Sequence, residues 1–323
     1  MECRDRLLAV VALLAALAAP DAVMAEDTLK LAVGQKGFWD TSVPEFGQRM
    51  GFFEAEGLKL DILYTQGGAE TERAVFAGSV DLGIANGLLG VLGGAAKGVP
   101  VKVISAEFTG VSDLFWYARS ESGIAGLKDA AGKTMGFSSP GSSTNLVLDL
   151  LVRQAGVPIK PVPVGAAPAS LTQVMSGQID IGWSAAPFAF DEIDAGKIRI
   201  VARGTDVKAL AGETVRVQIA PTSVVEQKRD QLVRFQRASQ KTIDWMYKDD
   251  KAIAWFAEGA HVTVDQAHRA VAEFYPKPAM RLGAVAGLDL AIQQAIDAKR
   301  LTAPLTKEQI DTLMAIVYEP PKE

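Results

Sequence analysis

From Thr28 onward, apolar and polar residues alternate. In TLKLAVG, Thr28 to Gly34, the residues Leu29, Leu31 and Val33 share one face, and this period of two predicts a strand. PEFGQRMGFFEAEG predicts a helix that ends at Gly57. LKLDILYT, Leu58 to Thr65, predicts a second strand closed by Gln66, Gly67 and Gly68. ETERAVFAG reads as a helix with Gly78 as its left-handed cap. VDLGIA then reads as a buried strand, LLGVLGGAAKG as a helix of small residues, and VPVKVISAEF as a strand. Strand alternating with helix is the pattern of an α/β unit with a parallel sheet.

The order repeats. TMGFS predicts a strand, SSTNLVLDLLVRQAG a helix with a terminal Gly156, IKPVPVG a strand, ASLTQVMSG a helix, IDIGWSA a strand, and IRIVARG (Ile198 to Gly204) another strand. ETVRVQIAP, Glu213 to Pro221, adds one more. After it helices dominate: QKRDQLVRFQRASQKTIDWMYKDD, DKAIAWFAEG, TVDQAHRAVAEF, LDLAIQQAIDAKR and TKEQIDTLMAIV. Thr263 with Gln266, and Thr306 with Gln309, fit the capping box. These helices are expected to pack on the first lobe.

Two phrases mark the repeat. GSVDLGIANG (Gly78 to Gly87) and GQIDIGWSAA (Gly177 to Ala186) each read Gly, two residues, Asp, Leu or Ile, Gly. In each, the first Gly ends a helix and Asp starts the third strand of a βαβαβ unit. The second Gly allows close packing or a special backbone angle. Two such units predict an α/β fold of two lobes, each a mostly parallel sheet flanked by helices, with a cleft between them. Residues 26–111 and 214–323 form the first lobe, which is discontinuous, and residues 112–213 form the second. The chain crosses near Thr109–Ser112 and returns near Thr214–Ala220.

Ligands of open α/β sheets sit at the carboxyl ends of strands. The strongest such stretch is SSPGSST, from Ser138 through Gly141 to Thr144. A helix starts there, and its free N–H groups hold anions without a counter-charge. Ser142, Ser143 and Thr144 add hydroxyl donors; simple capping by one serine is the competing reading. After the first strand, Phe38 and Trp39 offer an apolar wall and Asp40 a partner for an amine. Core packing by Trp39 and helix capping by Asp40 are the alternatives. Asn86 and Gly87 follow one twin strand, with Trp183 and Ser184 in the equivalent place on the other. Gln66, Gly67 and Glu107 also end strands. Asp40 and Glu107 hint at a zwitterion or a ligand with a donor end. Arg73 lies mid-helix. Arg119 and Arg216 flank the crossovers, and a solvent-facing role is expected for each. Recognition by backbone amides and hydroxyls is therefore favoured over an arginine clamp.

Composition narrows the class. The 323 residues suggest about two domains. A hydrophobic share of 49% and a charged share of 22% fit a globular chain with a large core. A formal net charge of −5 with scattered basic residues argues against a nucleic-acid partner. Arg4 and Arg6 precede the apolar run Leu7 to Ala19, and small residues follow Pro20. This is the pattern of a signal peptide, residues 1–25, cut after Ala25. The run is shorter than the roughly 20 residues of a membrane span. The single cysteine, Cys3, precedes that run, so the mature chain has no thiol for disulfide, metal or redox chemistry.

Three stretches carry a family resemblance: MGFFEAEGLKLDILYTQGG, the pair GSVDLGIAN and GQIDIGWSAAP, and SGIAGLKDAAGKTMGFSSPGSST. They resemble the periplasmic solute-binding proteins of ABC importers with type II architecture, in the nitrate, sulfonate, taurine and thiamine-precursor group. The resemblance runs over nearly all of the mature chain. It implies a monomer without cofactor that captures a small organic anion, sulfonate-like, between two closing lobes and delivers it to a membrane permease. A sensor presenting its ligand to a receptor would look the same. An aromatic carboxylate, a taurine-like zwitterion or a thiamine pyrimidine precursor is the alternative ligand. Menaquinone-pathway enzymes and thiamine-pyrimidine synthases resemble the same architecture, so fold alone does not decide function. His261 and His268 accompany no nucleophile or ligand cluster. LGGAAKG lacks the phosphate-binding Lys-Ser/Thr ending, and no GxSxG elbow occurs.

Overall fold

The computed structural model describes residues 26–321. The expected signal peptide and its cut after Ala25 lie outside the described residues. In chain order the strands are β1 (Asp27–Gly34), β2 (Leu58–Thr65), β3 (Leu82–Gly87), β4 (Val101–Thr109), β5 (Leu114–Arg119), β6 (Thr134–Phe137), β7 (Lys160–Pro163), β8 (Ile181–Ala185), β9 (Ile198–Arg203) and β10 (Thr214–Pro221). The helices are α1 (Val43–Arg49), α2 (Gly68–Phe76), α3 (Leu88–Ala96), α4 (Ser143–Ala155), α5 (Ala167–Met175), α6 (Phe190–Asp194), α7 (Thr222–Gln227), α8 (Arg229–Met246), α9 (Asp250–Ala260), α10 (Val264–Phe274), α11 (Leu288–Asp297) and α12 (Lys307–Leu313).

The strands form two five-stranded sheets, ordered β2-β1-β3-β10-β4 and β7-β6-β8-β5-β9. In the first, β1 runs parallel to β2 and β3, while β10 is antiparallel to both β3 and β4. In the second, β6 runs parallel to β7 and β8, while β5 is antiparallel to β8 and β9. Each sheet is therefore a parallel unit with one reversed strand inserted next to its third strand. The inserted strand comes from the crossover in both cases.

The twin phrases have the same physics twice. Gly78 and Gly177 end α2 and α5 with φ of 67° and 78°, left-handed values that a side chain resists. Asp81 Oδ2 accepts from Lys30 N–H at 2.9 Å, and Asp180 Oδ2 accepts from Thr134 N–H at 2.9 Å. Each aspartate thus ties the start of its strand to the neighbouring parallel strand. A Cβ on Gly83 would lie 2.7 Å from Val75 Cγ2, and one on Gly182 would lie 2.7 Å from Val174 Cγ2. The second glycine lets the preceding helix press onto the sheet.

The inserted strand β5 is absent from the sequence reading. LFWYAR is buried at every position but the last. A strand covered on both faces has no alternation to betray it. The C-terminal helices also differ from expectation. α8 packs on the first lobe, with Phe235 stacked on Phe53 at 5.2 Å. α10 instead reaches the second lobe, where Phe274 meets Phe115 at 5.7 Å and Phe190 at 5.8 Å.

Between Thr109 and Leu114, and again between Arg203 and Thr214, the chain leaves one sheet for the other. These crossovers touch: Gly110 N–H donates to Glu213 C=O at 2.7 Å. A Cβ on Gly204 would lie 2.1 Å from the Val111 carbonyl oxygen. Gly204→Ala must push the two connections apart, at a cost of about 1–3 kcal/mol. Gly212, whose Cβ would meet nothing within 4 Å, is the control. Urea unfolding should separate the two alanine variants; equal midpoints would mean that the crossovers yield freely.

Candidate functional site

The carboxyl ends of β1, β3, β6 and β8 open on one cleft. The lobes meet across it. Gln35 Oε1 accepts from Ala167 N–H at 3.2 Å, and the Phe38 and Phe188 rings meet edge-on at 5.1 Å. Gly87 lies so close to α4 that a Cβ there would sit 2.8 Å from Gly141 O and 3.1 Å from Ser143 N. Arg153 of α4 pairs with Asp297 of α11 at 3.1 Å.

On the second-lobe wall, Ser142 caps α4, its Oγ accepting from Asn145 N–H at 3.2 Å. Thr144 Oγ1 accepts from Ser138 N–H at 2.8 Å and bonds the hydroxyls of Ser138 and Ser142 at 2.8 and 2.9 Å. Capping and a hydroxyl cluster therefore coexist. Ser138, Ser142, Ser143 and Thr144 all line the cleft. Ser143 and Thr144 open the helix, so their N–H groups have no carbonyl one turn back to reach. The Trp183 ring lines the cleft beside them, held by Nε1–H donation to Gly165 O at 3.1 Å.

The first-lobe wall brings Phe38, Asp40 and Gly67 to the same space. Other expected positions lie elsewhere. Trp39 is wholly buried against Phe46, Tyr247 and Phe256. Gln66 is exposed at the head of α2. Asn86 is buried in the sheet, its Nδ2 donating to Val217 O at 3.2 Å. Gly87 and Gly141 form the lobe contact. Ser184 Oγ turns to Phe188 O at 3.1 Å. Glu107 lies below the floor, in a second cavity it shares with Asp40, Gln218 and Ser239. Its Oε2 accepts from Ala85 N–H at 2.5 Å. Burial, helped by Asp40 and opposed by that N–H and Arg216, pushes its pKa up to about 8.

Arg216 corrects the sequence reading. It is 6% exposed and lines the cleft, not solvent. Its Nη2 lies 2.9 Å from Asp113 Oδ2 and 3.3 Å from Asp40 Oδ2. The guanidinium also stacks 4.3 Å over the Phe108 ring. Burial works against its charge, but Asp113 and Asp40 outweigh it and hold its pKa above the ordinary value. Burial pushes the Asp113 carboxyl up, against the pull of Arg216. Arg119 stays at the surface beside Glu121. Asp113, Gln35 and Thr41 also line the cleft and had no sequence signal, since each sits in a short connection. For Arg216 a signal exists: in TVRVQIAP, Arg216 and Gln218 alternate with Val215, Val217 and Ile219.

Among the described residues, no group of three or more His, Cys, Asp or Glu is placed to hold a metal ion, and no helix is long and apolar enough to cross a membrane. His261 and His268 are exposed.

No curated protein matches the chain by sequence. Solved structures do match in fold. An alkanesulfonate-binding protein from Xanthomonas axonopodis pv. citri, solved bound to MOPS, is 19% identical with a TM-score of 0.71, covering 87% of this chain and 96% of that one. The periplasmic nitrate-binding protein of Synechocystis PCC 6803 is 11% identical with a TM-score of 0.70, covering 90% and 86%. The desulfurization enzyme DSZB is 16% identical with a TM-score of 0.59, covering 88% and 96%. The fold is that of the periplasmic binding proteins, as the resemblance implied. The sequence profile described as NMT1/THI5 like matches residues 46–253, more than half of the chain, and the protein belongs to that family.

Proposed function

We propose that this protein is the exported solute-binding component of an ABC importer. It captures a small organic anion, sulfonate-like, and delivers it to the permease as a monomer without cofactor. The observation that carries the reading is the start of α4 in the cleft, where two backbone N–H groups and the hydroxyls of Ser138, Ser142, Ser143 and Thr144 converge. Such a set holds an anion by oriented dipoles. Ligand contacts from both lobes would favour the closed arrangement. The sulfonate-binding and nitrate-binding proteins of the same fold support the ligand class. The fold also serves a desulfurization enzyme, but both histidines lie on the surface. Recovery of unaltered ligand after incubation with excess protein checks the non-enzymatic role.

Thermal denaturation against sulfonates, nitrate, aromatic acids and pyrimidines tests the class. A ligand at about 100 times its Kd adds roughly 2.7 kcal/mol. Ser142→Ala with Ser143→Ala should abolish the shift from sulfonates. If the double variant only loses about 1 kcal/mol of stability and keeps its affinity, the serines are caps and the anion site is elsewhere.

A further inference from the structure

Helix α10 stands between the lobes. On one side it packs along α9. On the other it grips the second lobe. Gln266 Nε2–H donates to Asp191 Oδ1 at 2.8 Å and to Asp194 Oδ2 at 3.0 Å. Arg269 holds both Asp194 oxygens, at 2.8 and 3.1 Å, and its guanidinium lies 4.3 Å over the Phe190 ring. Phe274, 1% exposed, touches Phe115 and Phe190, and the Arg203 guanidinium lies 4.7 Å over its ring. Among the described residues, every side-chain hydrogen bond, ion pair and ring contact that α10 makes beyond its own cap goes to the second lobe.

The next residue faces both ways. Tyr275 is wholly buried, its ring edge-on to Phe108 of β4 at 6.1 Å and to Phe256 of α9 at 6.4 Å. Its hydroxyl donates to Ala186 O in the second lobe at 2.6 Å, while its carbonyl accepts from the Tyr247 hydroxyl at 2.8 Å. One residue earlier, the Phe274 carbonyl accepts from Ser112 Oγ of the first crossover at 2.8 Å. The chain passes from one lobe's packing to the other's between Phe274 and Tyr275.

We propose that α10 moves with the second lobe, and that the hinge has a third strand at Phe274 and Tyr275 beside the two crossovers. Parting α10 from the second lobe strips a bidentate arginine–carboxylate pair and puts three buried rings in water. Sliding along α9 does neither, so it is the cheaper motion. The two ends of α10 absorb the turn. At its start, His261 caps α9 with a left-handed φ of 57°. At its end, Tyr275 is the pivot, with its ring in the first lobe and its hydroxyl bound to the second. The Ser112 bond ties this strand to the first crossover, so the strands turn about one axis. The inference concerns motion alone and is independent of which ligand fills the cleft.

Spin-label distances test it. The chain from Glu26 onward has no cysteine, so introduced ones are unique labels. His268→Cys marks α10, Gln178→Cys the second lobe and Ser223→Cys the first; all three positions are exposed. Pairwise distance distributions are measured on the purified protein without ligand. The pair on α10 and the second lobe should give a narrow distribution. The pair on α10 and the first lobe should be about twice as broad, matching the breadth between the lobes themselves. Arg269→Ala with Phe274→Ala should free α10 and broaden the first pair; Arg269→Ala alone serves if that variant fails to fold. A narrow distance from α10 to the first lobe, with a broad one to the second, would overturn the proposal, because α10 would then stay behind. Three narrow distributions would overturn it too, since no hinge would be turning. So would a first pair that stays narrow in the variants, since the grip described would not be what carries α10.

Discussion

Arg216→Ala lowers the free energy of unfolding by about 3–5 kcal/mol at pH 7, the cost of breaking a buried ion pair from one side. The reason is what the substitution leaves behind. Asp40 and Asp113 are both nearly inaccessible, and each directs an oxygen at Arg216. Without the guanidinium, two like charges face each other in a medium that solvates neither. The stack on Phe108 is lost as well. Urea unfolding of wild type and variant gives the difference directly. The loss should shrink in acid, because burial already pushes the Asp113 carboxyl up and protonation removes the repulsion. Adding Asp40→Asn and Asp113→Asn to Arg216→Ala should restore much of the stability, since no buried charge then remains. A loss below about 1 kcal/mol would mean that the triad is solvated and of surface strength.

The placement of Arg216 also shows where sequence reading stops. The repeated phrase carries its own structure. A left-handed glycine and a glycine under a valine of the preceding helix are local, and they are readable at Gly78–Gly83 and Gly177–Gly182, whereas the aspartate's bond reaches a parallel strand 51 or 46 residues away. The capping boxes at Thr263 and Thr306 are local too, and both form. β10 and β5 are different. Each is inserted between strands distant in sequence, so its burial depends on a pairing that no short window contains. β5 lacks alternation because both faces are covered. β10 has alternation, but its polar face reads as exposed unless β3 and β4 are known to flank it. Arg216 was therefore expected at the surface and is found on the cleft floor.

The same limit applied to the cleft walls. The end of β6 and the start of α4 are adjacent in sequence, and Ser138 through Thr144 come together as a unit. Trp39 and Asp40 are neighbours with opposite fates. The short 3-10 turn Asp40–Ser42 sends the indole into the α8–α9 side of the lobe and the carboxylate towards Arg216. Which of two adjacent side chains meets ligand depends on a turn that follows from packing.

Glu107→Gln flattens the dependence of stability on pH. In the folded chain burial pushes the Glu107 carboxyl from 4.5 up to about 8. In the unfolded chain it titrates near the ordinary value. Between these values the folded state holds a proton that the unfolded state has lost, so stability falls as pH rises. Below about 4.5 both states are protonated and Glu107 contributes no slope. Above about 8 the loss is complete, and a shift of this size corresponds to roughly 3–5 kcal/mol at 1.36 kcal/mol per unit. Asp40 adds to the upward push; Arg216 and the Ala85 N–H oppose it. Glutamine keeps the carbonyl that accepts from Ala85 and stays neutral throughout. Wild type and variant should therefore match below about pH 4.5, diverge towards pH 8 and run level above it, with the variant more stable. Urea unfolding across that range measures the divergence. Parallel curves would mean that Glu107 is ionised in the folded chain as it is in the unfolded one.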